Sequence, residues 1–470
     1  MASMSTIEEF DQSKYDFSFP EDANNYYRVH DGLTPDVIRE ISARKNEPEW
    51  MLEHRLKCLE AYHELKLPSG WGPSLEGLDM NNIATYVTPK AKRTNTWDDV
   101  PEDVRDVFER LGIPEAEREF LAGVGAQLDS EMVYHAVQNQ ATELGVVYTG
   151  IEQALHEGYE DIIREHFNKL VPARDHKFAA LNGAVWSGGS FIYVPRGVHI
   201  TQPLQNYYRI NAKGSGQFEH TIIIVDDDAS LEFIEGCSAP HYNVANLHAG
   251  CVEVYVGKRA HLRFSVIENW SKNMYNLSTK RIRCDEDATV EVITGAFGSH
   301  VAEVYPSCML VGDRSSYDYT GISFAVADQD LDTGCKIVMT GKSTKATINA
   351  KSLSKDGGKG TFRSSVTVGK HAEGAVATVS CESLILDDKS ISDTIPSMDV
   401  RCPSASVGHE ATIGRISDET IAYLMSRGAT EAEARTLVVN GFANPISKEL
   451  PFEYAREMNN LIALEMEGSI

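Results

Sequence analysis

The sequence predicts a mainly β chain with added helix: a parallel β-helix of stacked coils over residues 177–415, flanked by an N-terminal and a C-terminal helical region. Three observations carry this expectation. A short pattern recurs, consisting of an apolar residue, Gly or Asp, two polar residues, a small residue and then alternating apolar positions. Its spacing is nearly constant. The composition switches at about residue 178 to β-branched and aromatic runs divided by Gly, Asp and Pro.

The pattern appears as VDDDASLEF from Val225, YVGKRAHLRF from Tyr255, RCDEDATVEV from Arg283, LVGDRSSYDY from Leu310, MTGKSTKATI from Met339, TVGKHAEGAV from Thr367 and SVGHEATIG from Ser406. Aligned on the small residue, the anchors are Ala229, Ala260, Ala288, Ser315, Thr344, Ala372 and Ala411, and the intervals are 31, 28, 27, 29, 28 and 39 residues. Such a period marks stacked units. Within each unit, Gly or Asp three places before the anchor suits a tight turn, and apolar residues at every second place point to one face of a strand. A strand–turn–strand unit cannot bury its own apolar face, so the units must stack, and a β-helix is the economical arrangement. A sandwich of hairpins is the competing arrangement.

Before the solenoid, residues 1–32 are polar and irregular and read as flexible, and 33–176 read as mostly helical. Thr34 caps a helix with Pro35 at its first position and Val37, Ile38 and Ile41 on one side. A second helix starts near Pro48, with Leu52, Leu56 and Leu59 as its stripe and Cys58 packing at the margin. Further helices are expected near 101–111, 115–122, 128–144 and 151–168. After the solenoid, 416–470 return to helix. Ser417 caps one that ends at Gly428, Thr430 with Glu433 makes a capping box for the next, and Pro451 opens a third. Those helices either cover an end of the solenoid or dock a partner.

Length and composition set bounds. A chain of 470 residues with 42% hydrophobic content affords a large core. Its formal charge of −25 argues against a nucleic-acid partner, because phosphate binding relies on Lys and Arg displacing counterions. The sequence has no apolar run of transmembrane length and no basic-then-apolar N-terminus, so a cytoplasmic protein without a membrane partner is expected. Eight cysteines without C-x-x-C spacing read as thiols.

The repeat frame sorts those thiols. Cys284 falls in a column otherwise filled by Val225, Val256, Val311, Thr340, Val368 and Val407, and so reads as core. Cys251, Cys308 and Cys335 have equally plain packing roles. Cys237 differs: counting by twos from Leu231 and Phe233 turns Glu235 and Cys237 inward, provided that Gly236 introduces no bulge. A thiol beside a carboxylate there is a candidate sulfur carrier. The last coil departs from the frame. Its turn carries His409 and Glu410, and Cys381 and Cys402 flank the long segment before it. Thiolate, imidazole and carboxylate make a competent ligand set for iron or zinc; the alternative is that His409 and Glu410 are solvated and the cysteines pack. GKST at Gly341 only imitates a phosphate loop, because Lys336 stands where the motif needs Gly.

On NEPEWMLEHRLK, LGIPEAE, AVWSGGSFIYVP, GQFEHTIIIVDD, EGCSAP, ENWSKNMYNLSTKR, YPSCML, DTGCK, KSLSKDGG, GHEAT, SRG and ELPFEYA, the chain from Leu33 to Ser469 resembles the SufB/SufD family, on its SufB side. These are scaffold subunits of the SUF iron–sulfur cluster assembly machinery. The resemblance implies a right-handed parallel β-helix and a non-enzymatic scaffold carrying a nascent iron–sulfur cluster. It implies C-terminal helices that bind the ATPase SufC, and pairing with SufD or a second SufB copy at the end of the solenoid. Sulfur from a cysteine desulfurase and its carrier is implied to arrive at Cys237 and to pass Arg209, Asn211, Trp270 and Lys280. The cluster is then implied to form at Cys381, His409 and Glu410. An enclosed route lined by Arg209 and Lys280 is expected to shield a persulfide and favour its anion. Reduced flavin is associated with the family complex, although no residues here mark a flavin site.

Two departures stand out. Glu268 occupies a place where some relatives have Gln, and the N-terminal cysteine cluster of some relatives is missing, since Cys58 is the only cysteine before Cys237. Two other classes compete. A β-helix carbohydrate-active enzyme is disfavoured by the Cys, His and Glu placement and by the absence of a secretion layout. A purely structural SufD-like partner is disfavoured by Cys237 and Cys381 occurring together with His409 and Glu410.

Overall fold

The structure, a computed structural model, describes residues 26–29, 32–70, 72–89, 94, 121–450 and 452–467. Its body is a parallel β-solenoid of about 8 turns. One face is a ten-stranded sheet whose central strands are Leu204–Arg209, Ser230–Ser238, His261–Trp270, Thr289–Gly298, Ser316–Ala325, Lys345–Ser354, Val376–Ile385 and Ser406–Arg415, stacked in that order. Shorter strands such as His220–Val225, Cys251–Val256 and Thr279–Cys284 build the opposite wall, which from Asp330 onward gains one long strand per coil.

The recurring pattern forms the corner between the two walls. Asp228, Arg259, Asp287, Arg314 and Ser343 adopt left-handed backbone with φ between 53° and 60°. Each donates its N–H to a carbonyl of the next coil, those of Lys258, Glu286, Asp313, Lys342 and Glu373, at 2.7–2.9 Å. Left-handed backbone costs a non-glycine residue about 1–2 kcal/mol, and a coil-to-coil hydrogen bond at every corner offsets it. The small anchor that follows is fully enclosed at Ala229, Ala260, Ala288, Ser315 and Thr344. Beyond it, alternate residues such as Leu231 and Phe233, Leu262 and Phe264, and Val290 and Val292 join a single core with Ile223, Val254, Ile282 and Leu310 of the opposite wall. Each such buried side chain contributes roughly 1.5–3 kcal/mol.

Strand register corrects the end of the repeat. Lys345 pairs with Val376 and Val376 with Ser406, so the last two anchors are Ala375 and Ala405 rather than Ala372 and Ala411. The corner before Ala375 is two to three residues longer than the others, and this displaced the frame. The apparent insertion ahead of the last coil is the strand Ile391–Val400, paired along its whole length with Lys359–Val368. His409 and Glu410 therefore stand within a strand, not in a turn.

The N-terminal region is less helical than expected, and the ten-stranded sheet begins at Gly123 rather than at 177. Gly123–Leu128 and Glu131–Val137 form an antiparallel hairpin whose first strand continues the sheet beside Leu204–Arg209. Where 128–144 read as helix, only Asn139–Glu143 is helical. Every residue of Gly123–Leu128 is buried, so the two-residue alternation that announces a half-exposed strand is missing. The expected 151–168 helix is two, Ile151–Ala154 and Glu160–His166, parted near Gly158 with φ 94°. The helices expected near 101–111 and 115–122 fall almost wholly outside the described residues. Pro35–Arg44 and Glu49–Glu64 form as expected, but the second buries Met51, Arg55, Cys58 and Leu59 and leaves Leu52 and Leu56 half-buried. With the buried helix Lys177–Val185 they pack against Phe218, Leu247, Tyr275 and Val301 of the solenoid.

The C-terminal helices Asp418–Ser426 and Glu431–Ser447 start at the expected caps, with the Thr430–Glu433 box formed, and a third helix spans Phe452–Glu467; Pro451, expected to open it, lies outside the described residues. They do not cover the solenoid end. Val439, Ala443, Met458, Leu461 and Ile462 pack on the outward side of the ten-stranded sheet, against Ile234, Ile267, Ile293, Ile322 and Phe324. The last coil stays open, with Ile391, Ile395, Met398, Val400 and Ile413 each 41–49% exposed. Among the described residues no helix is long and apolar enough to cross a membrane.

Candidate functional site

Cys237 lies in the second-last position of the strand Ser230–Ser238, paired in unbroken register with Tyr208 on one side and Glu268 on the other. Gly236 introduces no bulge, so Leu231, Phe233, Glu235 and Cys237 all point into the solenoid, and Cys237 is 1% exposed. Its Sγ stands 4.0 Å from Glu235 Oε1. Lys280, reaching across from the opposite wall, places Nζ 2.8 Å from Glu235 Oε1 and 3.9 Å from Glu268 Oε1.

The network continues inward. Asn276 Nδ2 donates to Glu268 Oε2 at 2.8 Å, His248 Nδ1 meets Asn276 Oδ1 at 2.8 Å, and His248 Nε2 meets Glu219 Oε1 at 2.7 Å. A side chain at Gly250 would put its Cβ 1.8 Å from Glu219 Oε1, so only glycine leaves room for that pair. Trp270 lies over His248 with ring centroids 4.7 Å apart and joins Tyr208, Ile210 and Cys237 in a small apolar cluster.

Burial sets the electrostatics. It pushes the Cys237 thiol well above the usual range; Glu235 and Glu268 add to the effect and Lys280 opposes it. The enclosed pocket thus holds the resting Cys237 as a thiol. For Lys280, burial works against its charge, but Glu235 and Glu268 outweigh burial and raise it. Glu268 is raised by burial, with Lys280 and His248 opposing. Burial disfavours a charged His248, and Glu219 overcomes this to hold it above its ordinary value.

The other expected path residues divide. Trp270 and Lys280 border the Cys237 pocket. Arg209 does not face it: paired with Ser238 one place along, it lies on the outward side of the sheet, where Nη1 donates to Ser238 Oγ at 2.9 Å. Asn211 follows that strand, and its backbone N–H donates to the buried Asp129 Oδ1 at 2.8 Å. The strand of Arg209 also lies on the side of Cys237 away from Cys381, so neither Arg209 nor Asn211 stands between the two thiols.

A small interior cavity lies between the coils of Cys237 and Cys381, and neither cysteine lines it. Glu268 and Lys280 line its near part, followed by Thr294, Tyr319 and Ser323, with Ala350 further on. Thr294 and Tyr319 share a hydrogen bond of 2.8 Å. Ala350 is the register partner of Cys381.

Cys381 is 3% exposed, and His409 Nε2 stands 3.7 Å from its Sγ. Burial pushes this thiol up to about 12. Glu410 is not brought to the pair: adjacent strand residues face opposite ways, and its Oε1 accepts from Ser380 Oγ at 3.3 Å instead. Cys402 lies in the corner before the last strand, its Sγ 3.5 Å from Ser404 Oγ. One chain therefore offers two converging donors at this open end.

Among the described residues, the one set of three close ligand-type atoms is His220, Cys251 and Glu253, all buried. Sequence reasoning passed over it because Glu253 sits in the apolar run CVEVYV. Glu253 accepts from the N–H groups of Asn168, Leu170 and Val171 at 2.6–2.9 Å and pairs with His220 at 3.0 Å. With those bonds made, the carboxylate acts as a strut that fastens the 168–171 loop to the solenoid. The Glu219–His248 pair was likewise missed, because its two residues come from different coils.

Residues 208–442 match the family model described as SUF system FeS cluster assembly, SufBD core domain, and residues 39–206 match the SufBD protein N-terminal region. The chain is 47% identical over 460 residues to the Bacillus subtilis iron–sulfur cluster assembly protein SufB, covering 98% of each chain. Iron–sulfur cluster assembly SufBD family proteins of Staphylococcus saprophyticus and Staphylococcus aureus are 45% and 46% identical, each over 98% of both chains.

Proposed function

Because this chain belongs to the SufB/SufD family of SUF-system iron–sulfur cluster assembly proteins, we propose that it acts as the scaffold on which a nascent cluster is built. Cys237 accepts sulfane sulfur from a persulfide supplied by a cysteine desulfurase and its carrier. The sulfur then travels within the solenoid to Cys381, where iron and sulfur, the cargo of the process, are assembled. The observation that supports this reading is the small interior cavity lined at one side by Glu268 and Lys280, which neighbour Cys237, and at the other by Ala350, the register partner of Cys381.

Cys381 and His409 supply two donors at an exposed strand, so a closed ligand set requires a second protomer, either SufD or another copy of this chain, or a rotation that turns Glu410 toward them. The apolar residues of the open coil suit such a partner, because exposed strand edges and apolar side chains seek cover. Arg209, Asn211 and Ser238 belong to the arrival side of Cys237, where they fix the strand end on which the thiol sits. The C-terminal helices present Tyr423, Met425 and Leu437, exposed at 46–57%, as the face for the ATPase SufC.

The test is anaerobic reconstitution with iron, a cysteine desulfurase and cysteine, followed by absorption and Mössbauer spectra. Cys237→Ser is expected to lose enzyme-supplied sulfur loading while keeping reconstitution from chemical sulfide. Cys381→Ser is expected to lose the cluster by both routes. Equal loss from both routes in the first variant, or an unchanged cluster in the second, refutes the assignment.

A further inference from the structure

The Cys237 pocket holds its thiol protonated, yet only a thiolate attacks a persulfide. The proton has to go somewhere inside an enclosed, low-dielectric site. Glu235 is the carboxylate nearest the sulfur, at 4.0 Å through Oε1, and its other oxygen, Oε2, is buried with no hydrogen-bond partner. Lys280 bridges the same Oε1 at 2.8 Å. We propose that Glu235 is the general base that takes the Cys237 proton, while the Lys280 ammonium passes from the carboxylate to the new thiolate. The inference rests on Cys237 being the sulfur acceptor.

Charge balance favours this route. Before transfer the site holds a thiol, the Glu235 carboxylate and the Lys280 ammonium; afterwards it holds a thiolate, a carboxylic acid and the same ammonium. Net charge is unchanged, so no ion is created or lost in the interior, where an unpaired charge costs several kcal/mol. The other groups that face Cys237 do not compete. Glu268, on the adjacent strand, is held toward its neutral form by burial. Glu219 and His248 are paired with each other at 2.7 Å. Tyr208 is buried, its hydroxyl is 3.0 Å from Thr221 Oγ1, and burial places its ionisation far above neutral pH. Tyr207 and Arg209 lie on the outward side of their strand.

The step balances. Cys237 Sγ attacks the terminal sulfur of a donor persulfide, the new S–S bond forms and the donor S–S bond breaks. The donor sulfur leaves with the bonding pair and takes the proton from Glu235. A donor persulfide and a thiol thus become a donor thiol and a Cys237 persulfide, with no outside oxidant or reductant.

Thiol plus carboxylate and thiolate plus carboxylic acid contain the same number of protons, so their ratio does not depend on pH. The experiment measures alkylation of Cys237 by iodoacetamide in the full chain, read by mass spectrometry of its peptide, between pH 6 and 8. The wild-type rate constant is expected to vary by less than about twofold, because the proton stays within the pair. In Glu235→Gln the proton must leave for solvent, and the rate constant is expected to rise about tenfold per pH unit. A wild-type rate that itself climbs tenfold per unit overturns the proposal, whether or not the variant folds. A variant profile as flat as wild type also overturns it. A flat wild-type profile together with no desulfurase-dependent sulfur on Cys237 would instead remove the function proposed above, and with it the role of Glu235 as base in sulfur transfer, leaving only a proton shared between the two side chains.

Discussion

Lys280→Met isolates the cation that neutralises the solenoid interior. The Lys280 side chain is 2% exposed and lies between Glu235 at 2.8 Å and Glu268 at 3.9 Å. Methionine keeps most of the volume and removes the charge, leaving two enclosed carboxylates without their cation. Removing one partner of a buried ion pair costs about 3–5 kcal/mol. The sign with pH follows from Glu268, which burial already raises while Lys280 opposes. Without Lys280 it rises further, so the folded state holds a proton that the unfolded chain releases near its ordinary value of about 4.3. The loss is therefore small at acid pH, grows as pH rises through the folded-state value and is complete above it. The assay is urea unfolding followed by tryptophan fluorescence at several pH values between 5 and 8. The variant midpoint is expected to fall progressively below wild type as pH increases, and Lys280→Met with Glu235→Gln is expected to recover part of the loss. Equal midpoints for wild type and Lys280→Met across that range would refute the electrostatic account of the pocket.

Two further outcomes follow. Burial raises Asp129 to about 6, with the N–H groups of Ala212 and Asn211 opposing, so its contribution to stability is present below about pH 4 and lost as pH rises through about 6. Wild type should gain up to roughly 3 kcal/mol more than Asp129→Asn on going from pH 7 to pH 4, measured by chemical denaturation. At the open coil, Ile395→Asp with Met398→Asp adds charge to two exposed apolar positions of one strand. Pairing with a second protomer should weaken at least tenfold, a change of about 1.4 kcal/mol, in light scattering after size exclusion. Unchanged pairing would exclude that strand from the interface.

The repeat was legible because each corner needs the same parts: a turn, a left-handed residue and a small anchor with no room for a larger side chain. Five anchors were assigned correctly from Ala229 to Thr344. The sixth and seventh slipped, because the longer corner before Ala375 offered Ala372 as a false match, and that slip placed His409 and Glu410 in a turn. The hairpin at Gly123–Val137 was illegible for a different reason: strands buried on both sides show no alternation. Cys237 and Glu235 could be turned inward by counting residues, whereas counting could not reach Lys280, which only the family resemblance named, or His248 and Glu219, because all three come from other coils.

The sequence alone determined the solenoid, the packing role of Cys284 and the distinctness of Cys237, because period, small anchors and two-residue alternation are local properties. Tertiary structure decided which charges meet. It set Lys280 between Glu235 and Glu268, turned Arg209 and Glu410 to the other side of their strands, and laid the C-terminal helices along the sheet so that the last coil is left open. Those outcomes depend on register and stacking between coils about 30 residues apart, and on burial that strengthens a thiol's hold on its proton. Neither can be read from any one stretch of the chain.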